Sequence, residues 1–174
     1  MTALKPSRLP IGALALVATG LVAVATYEGY EPKARPPVPG DVPTVGFGST
    51  THADGTPVRA GETITPPAAL ALMVRDVTAK EGALKICLAG VWLHQHEYNA
   101  IVSVAYSVGS AAVCHSSIPA KLRAGEFEAA CRTILDFKKV QGRDCCLPKN
   151  KTFCGGICTR RQAEYRQCLG SEPT

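Results

Sequence analysis

The stretch from Glu28 to Thr50, E-G-Y-E-P-K-A-R-P-P-V-P-G-D-V-P-T-V-G-F-G-S-T, decides the predicted fold of this chain. Glu28 directly follows a long apolar run. Residues 32–43, rich in proline and glycine, are predicted to form a turn that separates it from a β-like segment beginning at Thr44. That turn carries one acid, Asp41. Two carboxylates with a hydroxyl nearby suit hydrolysis of a glycosidic bond. One carboxyl, protonated, donates to the leaving oxygen, and the other, ionised, orients a water or stabilises the developing positive charge.

The same three residues also have a purely structural interpretation, as a helix-end glutamate, a turn aspartate and a strand threonine. The wider sequence favours the catalytic one, because the whole string resembles the phage-type lysozyme (muramidase) family, the endolysins of double-stranded DNA phages. Three further strings resemble that family's central helix, its next helical pair and its closing helix: Q-H-E-Y-N-A-I-V-S-V-A-Y-S-V-G (95–109), S-S-I-P-A-K-L-R-A-G-E-F-E-A-A-C (116–131) and R-R-Q-A-E-Y-R-Q-C-L-G (160–170).

The resemblance covers residues 27–170 and implies an α+β, lysozyme-like fold. In that fold a small β-hairpin lobe and a larger helical lobe flank a cleft. The resemblance makes Glu28 the general acid, and Asp41 and Thr44 the groups that position the attacking water or stabilise the oxocarbenium-like state. It also implies that Tyr106 and Ser107 bind substrate, although the family often has Asn where Ser107 stands.

The spacing of the second acid departs from the family pattern. That pattern places the acid nine residues after the glutamate and the threonine six residues further on. Counting forward from Glu28 reaches Pro37, and counting back from Thr44 reaches Val38. Asp41 is the only acid in the turn, so either a rebuilt turn lets it serve or the second carboxylate is missing. Glu31 is a third candidate, placed on the same predicted helix as the first acid.

The activity implied is hydrolysis of the β-1,4 bond between N-acetylmuramic acid and N-acetylglucosamine in peptidoglycan, by a monomer that needs no metal or organic cofactor. The implied role is lysis of the bacterial host at the end of infection. Two alternatives stay open. A lytic transglycosylase cleaves the same bond without water and leaves an anhydro product. A catalytically degenerate, membrane-anchored protein would bind the wall without cleaving it.

The first 27 residues are predicted to form a separate segment ahead of a catalytic domain at 28–174. Lys5 and Arg8 precede residues 9–27, which carry no charge and reach the roughly 20 residues that span a bilayer as a helix. The basic flank favours an N-terminus inside the cell. Alanine, glycine and threonine dilute the run, which resembles the signal-anchor-release segments of some phage endolysins. Such a segment tethers the enzyme to the host inner membrane, with its C-terminus in the periplasm, and then releases it. A cleaved signal peptide is the alternative.

The net charge and the cysteine content limit the candidate partners and the candidate compartment. A formal net charge of +5 suits a polyanionic partner such as the cell wall, nucleic acid or an anionic membrane, or simple solubility. Nucleic acid is disfavoured, because the basic residues are scattered and no binding motif occurs. All 8 cysteines lie beyond residue 86, which indicates an oxidising compartment and disulfides.

The cysteine spacing gives no connectivity by itself, since eight cysteines allow on the order of a hundred pairings. A zinc site is the weaker interpretation, because C-C and C-x3-C spacings differ from the paired C-x2-C of zinc sites. The family resemblance makes one set the framework cysteines, and the other four lie in an apparent insertion that they staple internally. The first set is Cys87, Cys114, Cys131 and Cys168, and the second is Cys145, Cys146, Cys154 and Cys158.

Local patterns predict the remaining elements. Residues 44–64 read as a β-hairpin region, and Thr65-Pro66 begins a helix that ends near Glu81-Gly82. The strongest helical pattern covers 93–108, and further helices are predicted at 126–139 and from Thr159 onward, with a loop at 141–157. Two predictions concern single side chains. The histidines of His94-Gln95-His96 should point to different helix sides, and the last helix should expose Arg160, Arg161 and Glu164 to solvent.

Overall fold

Residues 7–171 are described by the structure, a computed structural model. The chain divides into two compact units. The smaller unit comprises residues 21–79, and the larger unit comprises residues 1–20 together with 80–174. In chain order, the helices and strands are β1 Leu9–Pro10, α1 Ala18–Glu28, β2 Glu31–Arg35, β3 Thr44–Gly46, α2 Pro66–Cys87, β4 Trp92–Leu93, α3 Gln95–Val108, α4 Ser110–Cys114, α5 Ile118–Arg123, α6 Phe127–Thr133, β5 Lys139–Val140, β6 Arg143–Asp144 and α7 Lys151–Cys168.

The smaller unit is built on the antiparallel pair β2–β3. Glu31 pairs with Gly46 and Arg35 pairs with Thr44, with an irregularity of register between them. The chain after β3 folds back through isolated bridges, including Lys33 with Thr63. A small core closes the unit, formed by Ala34, Val45, Val58 and the partly buried Ile64. Residues 32–35 belong to β2, so the prediction that residues 32–43 form a turn is wrong for these four. Pro32 does not prevent this, because a proline is compatible with the edge of a short two-stranded ribbon.

Helix α2 begins at Pro66 as predicted, but it continues through Gly82 to Cys87. A glycine within a helix costs only about 1 kcal/mol relative to alanine, and packing outweighs that cost here. Leu84 and Leu88 are fully buried, and Cys87 forms a disulfide with Cys114 of α4. The end of α2 is thus fixed by its tertiary contacts.

The larger unit is organised around α3, in which nine consecutive residues from Glu97 to Ala105 are buried. Its predicted end is confirmed, with the stop at Gly109, which has a φ of 89°. It begins two residues later than predicted, at Gln95, because Leu93 belongs to β4. Helix α7 packs against α3. A disulfide between Cys131 and Cys168 joins α6 to α7.

Residues 137–158, hereafter the insertion, contain the remaining two disulfides, Cys145–Cys154 and Cys146–Cys158. The insertion forms the β5–β6 hairpin and a short 3-10 turn at Pro148–Asn150. The predicted loop at 141–157 is wrong at its end, because α7 begins at Lys151 and bends at Cys154. Consecutive glycines at 155 and 156 disfavour a helix, so the sequence did not predict this start. The two disulfides stabilise it. The helix predicted over 126–139 is shorter, since α6 ends at Thr133 and a 3-10 turn follows.

The apolar run at 9–27 does not form one continuous helix. Leu9 and Pro10 pair with Leu93 and Trp92 of β4, a 3-10 turn follows at 11–13, and α1 begins only at Ala18. Backbone groups between these elements bond to the larger unit: the Ile11 N–H donates to the Val91 carbonyl at 2.9 Å. Within residues 7–171, no helix has both the length and the apolar character that crossing a membrane requires. Lys5 lies outside the described residues.

Arg8 anchors this segment to the larger unit. Its guanidinium donates to both carboxylate oxygens of Glu97, at 2.7 and 3.2 Å, and lies 3.4 Å from the centre of the Phe127 ring. Glu97 is buried and also accepts the backbone N–H of His94 at 2.7 Å. Ile11 and Leu14 are buried as well. Residues 8–14 therefore pack onto the larger unit through Arg8, Ile11 and Leu14.

Helix α7 buries an ion cluster that the sequence placed in solvent. Arg160, Arg161 and Glu164 are 6%, 1% and 0% exposed. Both arginines pair with Glu164 at 3.0 Å, one on each carboxylate oxygen. The Ser103 hydroxyl of α3 also donates to this carboxylate, at 2.6 Å. The prediction that these three side chains face solvent is wrong, because α3 packs against this side of α7.

Candidate active site

Glu28 is the last residue of α1, and its side chain is half-buried. Gly29, with a φ of 70°, ends the helix, and its N–H donates to the Ala25 carbonyl at 2.9 Å. The carboxylate lies against the backbone of Gly48. A Cβ added at that glycine would come within 3.0 Å of the Glu28 Oε2. The glycine-punctuated segment after β3 therefore makes room for the acid.

Thr44 and Asp41 lie in the hairpin that follows Glu28 along the chain. Thr44 opens β3 and is half-buried, and its hydroxyl donates to the Arg35 carbonyl over a long 3.5 Å. Asp41 is exposed in the turn, where its N–H donates to the Val38 carbonyl at 3.1 Å. All three predicted catalytic residues thus belong to the smaller unit, one at a helix end, one in a turn and one at a strand start.

Glu31 differs from its prediction. It is not on the helix with Glu28, because Gly29 has already ended α1, and it is instead the first residue of β2. Its carboxylate accepts the Nε–H of Arg35 at 2.6 Å. This ion pair within β2 gives Glu31 a structural partner.

A polar network behind Gly48 was not predicted from the sequence. The Ser49 hydroxyl donates to Asp76 at 2.6 Å, and Arg75 donates to Asp76 at 2.9 Å and to the Thr51 carbonyl at 2.9 Å. These bonds tie the chain after Gly48 to α2. The adjacent charges Arg75-Asp76 in an otherwise apolar stretch of helix were the signal that could have revealed it.

The predicted substrate-binding residues, Tyr106 and Ser107, are half-buried near the end of α3 in the larger unit. His52 bonds through Nε2 to Glu62 at 2.7 Å. Because the backbone N–H of Arg59 and the His52 ring both stabilise its charged form, the pKa of Glu62 lies below its ordinary value.

The prediction that His94 and His96 point to different sides is wrong. His94 precedes α3 in an extended conformation, so its ring stacks on that of His96 with the centres 5.2 Å apart. Burial lowers the pKa of the His94 ring. Across the described part of the chain, no three histidine, cysteine or acidic side chains are grouped so that they could hold a metal ion.

Comparison with known proteins decides the family. The family model described as phage lysozyme matches residues 25–164. The chain belongs to the phage lysozyme family. The endolysin of Salmonella phage P22 is 31% identical over 133 residues, which cover 76% of this chain and 90% of that protein. The endolysin of Acyrthosiphon pisum secondary endosymbiont phage 1 is 32% identical over 147 residues, covering 83% and 91% of the two chains.

The solved structures agree with this assignment. The endolysin from Escherichia coli O157:H7 phage FAHEc1 superposes with a TM-score of 0.77 at 27% identity, covering 94% of this phage lysozyme and 99% of that chain. The predicted lysozyme-like α+β fold is confirmed, with a mostly helical body and small sheets. The family and its endolysin relatives make the chain a glycoside hydrolase of the muramidase type. Each cysteine pairs within the set predicted for it, framework with framework and insertion with insertion.

We expect the contact between Gly48 and Glu28 to be important for activity. In the Gly48→Ala variant the new methyl group lies 3.0 Å from the Glu28 Oε2, so the carboxylate must shift slightly. Misplacing a catalytic group by about 1 Å can lower a rate about 100-fold, and this smaller shift should lower the rate of hydrolysis roughly tenfold or less. The rate is measured on purified peptidoglycan, and folding by thermal denaturation. Gly55→Ala is the matched control. Its φ of 84° gives the same backbone strain, but nothing lies within 4 Å of the added Cβ. Equal losses of activity in both variants would contradict the assignment.

Proposed function

We propose that this phage lysozyme is an endolysin that hydrolyses the β-1,4 bond between N-acetylmuramic acid and N-acetylglucosamine in peptidoglycan, and so lyses the bacterial host. The observation that carries the proposal is the position of Glu28. It ends α1 with its carboxylate against the backbone of Gly48, and the hairpin bearing Asp41 and Thr44 follows directly.

In the proposed mechanism Glu28, protonated, donates its proton to the glycosidic oxygen as the bond breaks. The carboxylate of Asp41, which is exposed to solvent, activates the attacking water or stabilises the positive charge on the sugar. Thr44 orients the water through its hydroxyl, whose hydrogen bond to the Arg35 carbonyl is long enough to be exchanged for one to water. Tyr106 and Ser107 bind the substrate, as the family resemblance implies. The enzyme acts as a monomer.

Analysis of the products tests the reaction type. Digestion of purified peptidoglycan is expected to release muropeptides with reducing N-acetylmuramic acid ends. These are about 18 mass units heavier than the 1,6-anhydro form, because hydrolysis adds one water for each bond cleaved. Mass spectrometry before and after borohydride reduction distinguishes the two. Anhydro ends would make the protein a lytic transglycosylase instead. A folded protein that binds peptidoglycan but releases nothing would be a wall-binding protein.

We further propose that residues 1–27 first tether the protein to the host inner membrane, with the C-terminus in the periplasm, and then release it into the periplasm. The absence of charge in residues 9–27 supports the tether. Burying residues 9–27 in the membrane would remove Ile11 and Leu14 from the larger unit. It would also leave the buried Glu97 without Arg8. The protein regains these contacts when it leaves the membrane. The complete fold, and with it the activity, is therefore proposed to form only after release.

The proposed tether is tested by expressing the full chain in bacteria and separating membrane from soluble material. We expect protein in both fractions, each with the intact mass. A soluble species that has lost its first 20 to 30 residues would show a cleaved signal peptide and overturn the tether.

A further inference from the structure

Ser49 closes a tight loop that carries Gly48. The Ser49 N–H donates to the Val45 carbonyl at 3.1 Å, and the Ser49 carbonyl accepts the Val45 N–H at 3.0 Å. Val45 and Ser49 are each 1% exposed, so residues 46–48 form a short loop on a buried base. Gly48 directly precedes Ser49, and its backbone lies against the carboxylate of Glu28. The position of Ser49 therefore sets the position of the backbone that Glu28 contacts.

Helix α2 holds the two ends of this loop, hereafter the 45–49 loop. A Cβ added at Gly46 would lie 2.7 Å from the Ala69 Cβ, so the start of the loop packs directly on the helix. At the other end, the Ser49 hydroxyl donates to the Asp76 carboxylate at 2.6 Å. Ala69 and Asp76 are about two turns apart in α2, which puts them on the same side of the helix. The loop is thus attached at both ends to one rigid element.

The attachment at Asp76 is a charged one, and both of its carboxylate oxygens have partners. One oxygen accepts the Ser49 hydroxyl, and the other accepts the Nε–H of Arg75 at 2.9 Å. Arg75 also donates to the carbonyls of His52 and Thr51, the latter at 2.9 Å. A hydrogen bond to an ionised acceptor is roughly twice as strong as one between neutral groups. Asp76 and Arg75 together therefore hold the chain from Ser49 to His52.

We propose that Asp76 is a positioning residue for hydrolysis, which holds Ser49 and thereby fixes Gly48 against the carboxylate of Glu28. The proposal rests on the proposed function, since it assumes that Glu28 is the proton donor. Asp76 acts through geometry and not by contact with the reacting atoms. A general acid must lie within hydrogen-bond reach of the oxygen that it protonates, so a displaced carboxylate donates its proton less often.

The direct test is Ser49→Ala, which removes the hydroxyl and leaves Asp76 paired with Arg75. Values of kcat and KM are measured on soluble glycan fragments, at a temperature below the thermal transition of every variant. We expect kcat to fall roughly threefold to tenfold with KM unchanged, because the proton donor is displaced while substrate binding is kept. Asp76→Asn replaces the charge-assisted bond with a neutral one and should lower kcat about twofold. If Ser49→Ala does not fold, Asp76→Asn decides the question.

Ser103→Ala is the matched control. Ser103 is also a buried serine whose hydroxyl donates to a carboxylate at 2.6 Å, that of Glu164 in the larger unit. This variant should lower the melting temperature as Ser49→Ala does, but keep the kcat of the wild type. A second comparison uses Glu28→Gln. Ser49→Ala should cause no further loss in that background, because residues that act through one group have non-additive effects. A merely structural role would lower the residual rate again.

Three outcomes would overturn the positioning role and leave the proposed function standing. They are a wild-type kcat in folded Ser49→Ala and Asp76→Asn, an equal loss of kcat in Ser103→Ala, and additive losses when Ser49→Ala is combined with Glu28→Gln. Retained hydrolysis in Glu28→Gln would reject Glu28 as the acid, and the positioning role with it. A folded wild type that hydrolyses no peptidoglycan would reject the proposed function and the positioning role together.

Discussion

Replacing Glu28 with Gln is expected to lower the rate of peptidoglycan hydrolysis by about 10²–10⁴-fold, the usual contribution of a general acid. Glutamine keeps the shape of the side chain beside Gly48 but has no carboxyl proton to give to the glycosidic oxygen. Initial rates on purified cell walls measure the effect. Thermal denaturation of the same samples should show a fold as stable as that of the wild type. Retained hydrolysis would reject Glu28 as the acid.

The same assay decides whether the rebuilt turn supplies the second carboxylate. Asp41→Asn should also lose activity if Asp41 activates the water, and Thr44→Val should lose it to a smaller extent. Asp54→Asn is the matched control, because Asp54 is an exposed turn acid of the same unit whose carboxylate bonds only locally to Thr56 among the contacts described. Full activity in Asp41→Asn, beside an inactive Glu28→Gln, would mean that the family's second carboxylate is missing here.

The largest loss of stability is expected from Glu164→Gln, at about 3–5 kcal/mol. Glu164 is fully buried between Arg160 and Arg161, so the isosteric amide leaves two buried positive charges without a counter-charge. It also alters the acceptor of the Ser103 hydroxyl. The free energy of unfolding is measured by denaturant titration with the disulfides intact.

The control for this prediction is Glu128→Gln. Glu128 forms an ion pair with Arg132 in α6, also within one helix, but the two side chains are 72% and 68% exposed. An exposed pair of this kind contributes roughly 0–1 kcal/mol, so the variant should unfold almost as the wild type does. A similarly small effect of Glu164→Gln would show that the buried cluster relaxes or admits water.

Much of the larger unit could be predicted because its signals are local. The periodic apolar residues of 93–108 and the stop at Gly109 gave α3 and its end, and the family pattern gave the sets of framework and insertion cysteines. The catalytic roles of Glu28, Asp41 and Thr44 stay predictions, made from one short stretch of sequence. The supporting role of Gly48 was not predictable, because it depends on a contact across twenty residues of chain.

By itself, the sequence determined the family resemblance, the central helix and the two sets of cysteines, since each rests on residue types at recognisable positions. Only the tertiary structure decided that residues 9–27 form a short strand, a 3-10 turn and α1. It also decided the extension of α2 beyond Gly82 and the burial of Arg160, Arg161 and Glu164. The physical reason is the same in each case. A local pattern states what a segment prefers in isolation, whereas the partner that pairs a strand end, covers a helix face or neutralises a charge comes from a distant part of the chain.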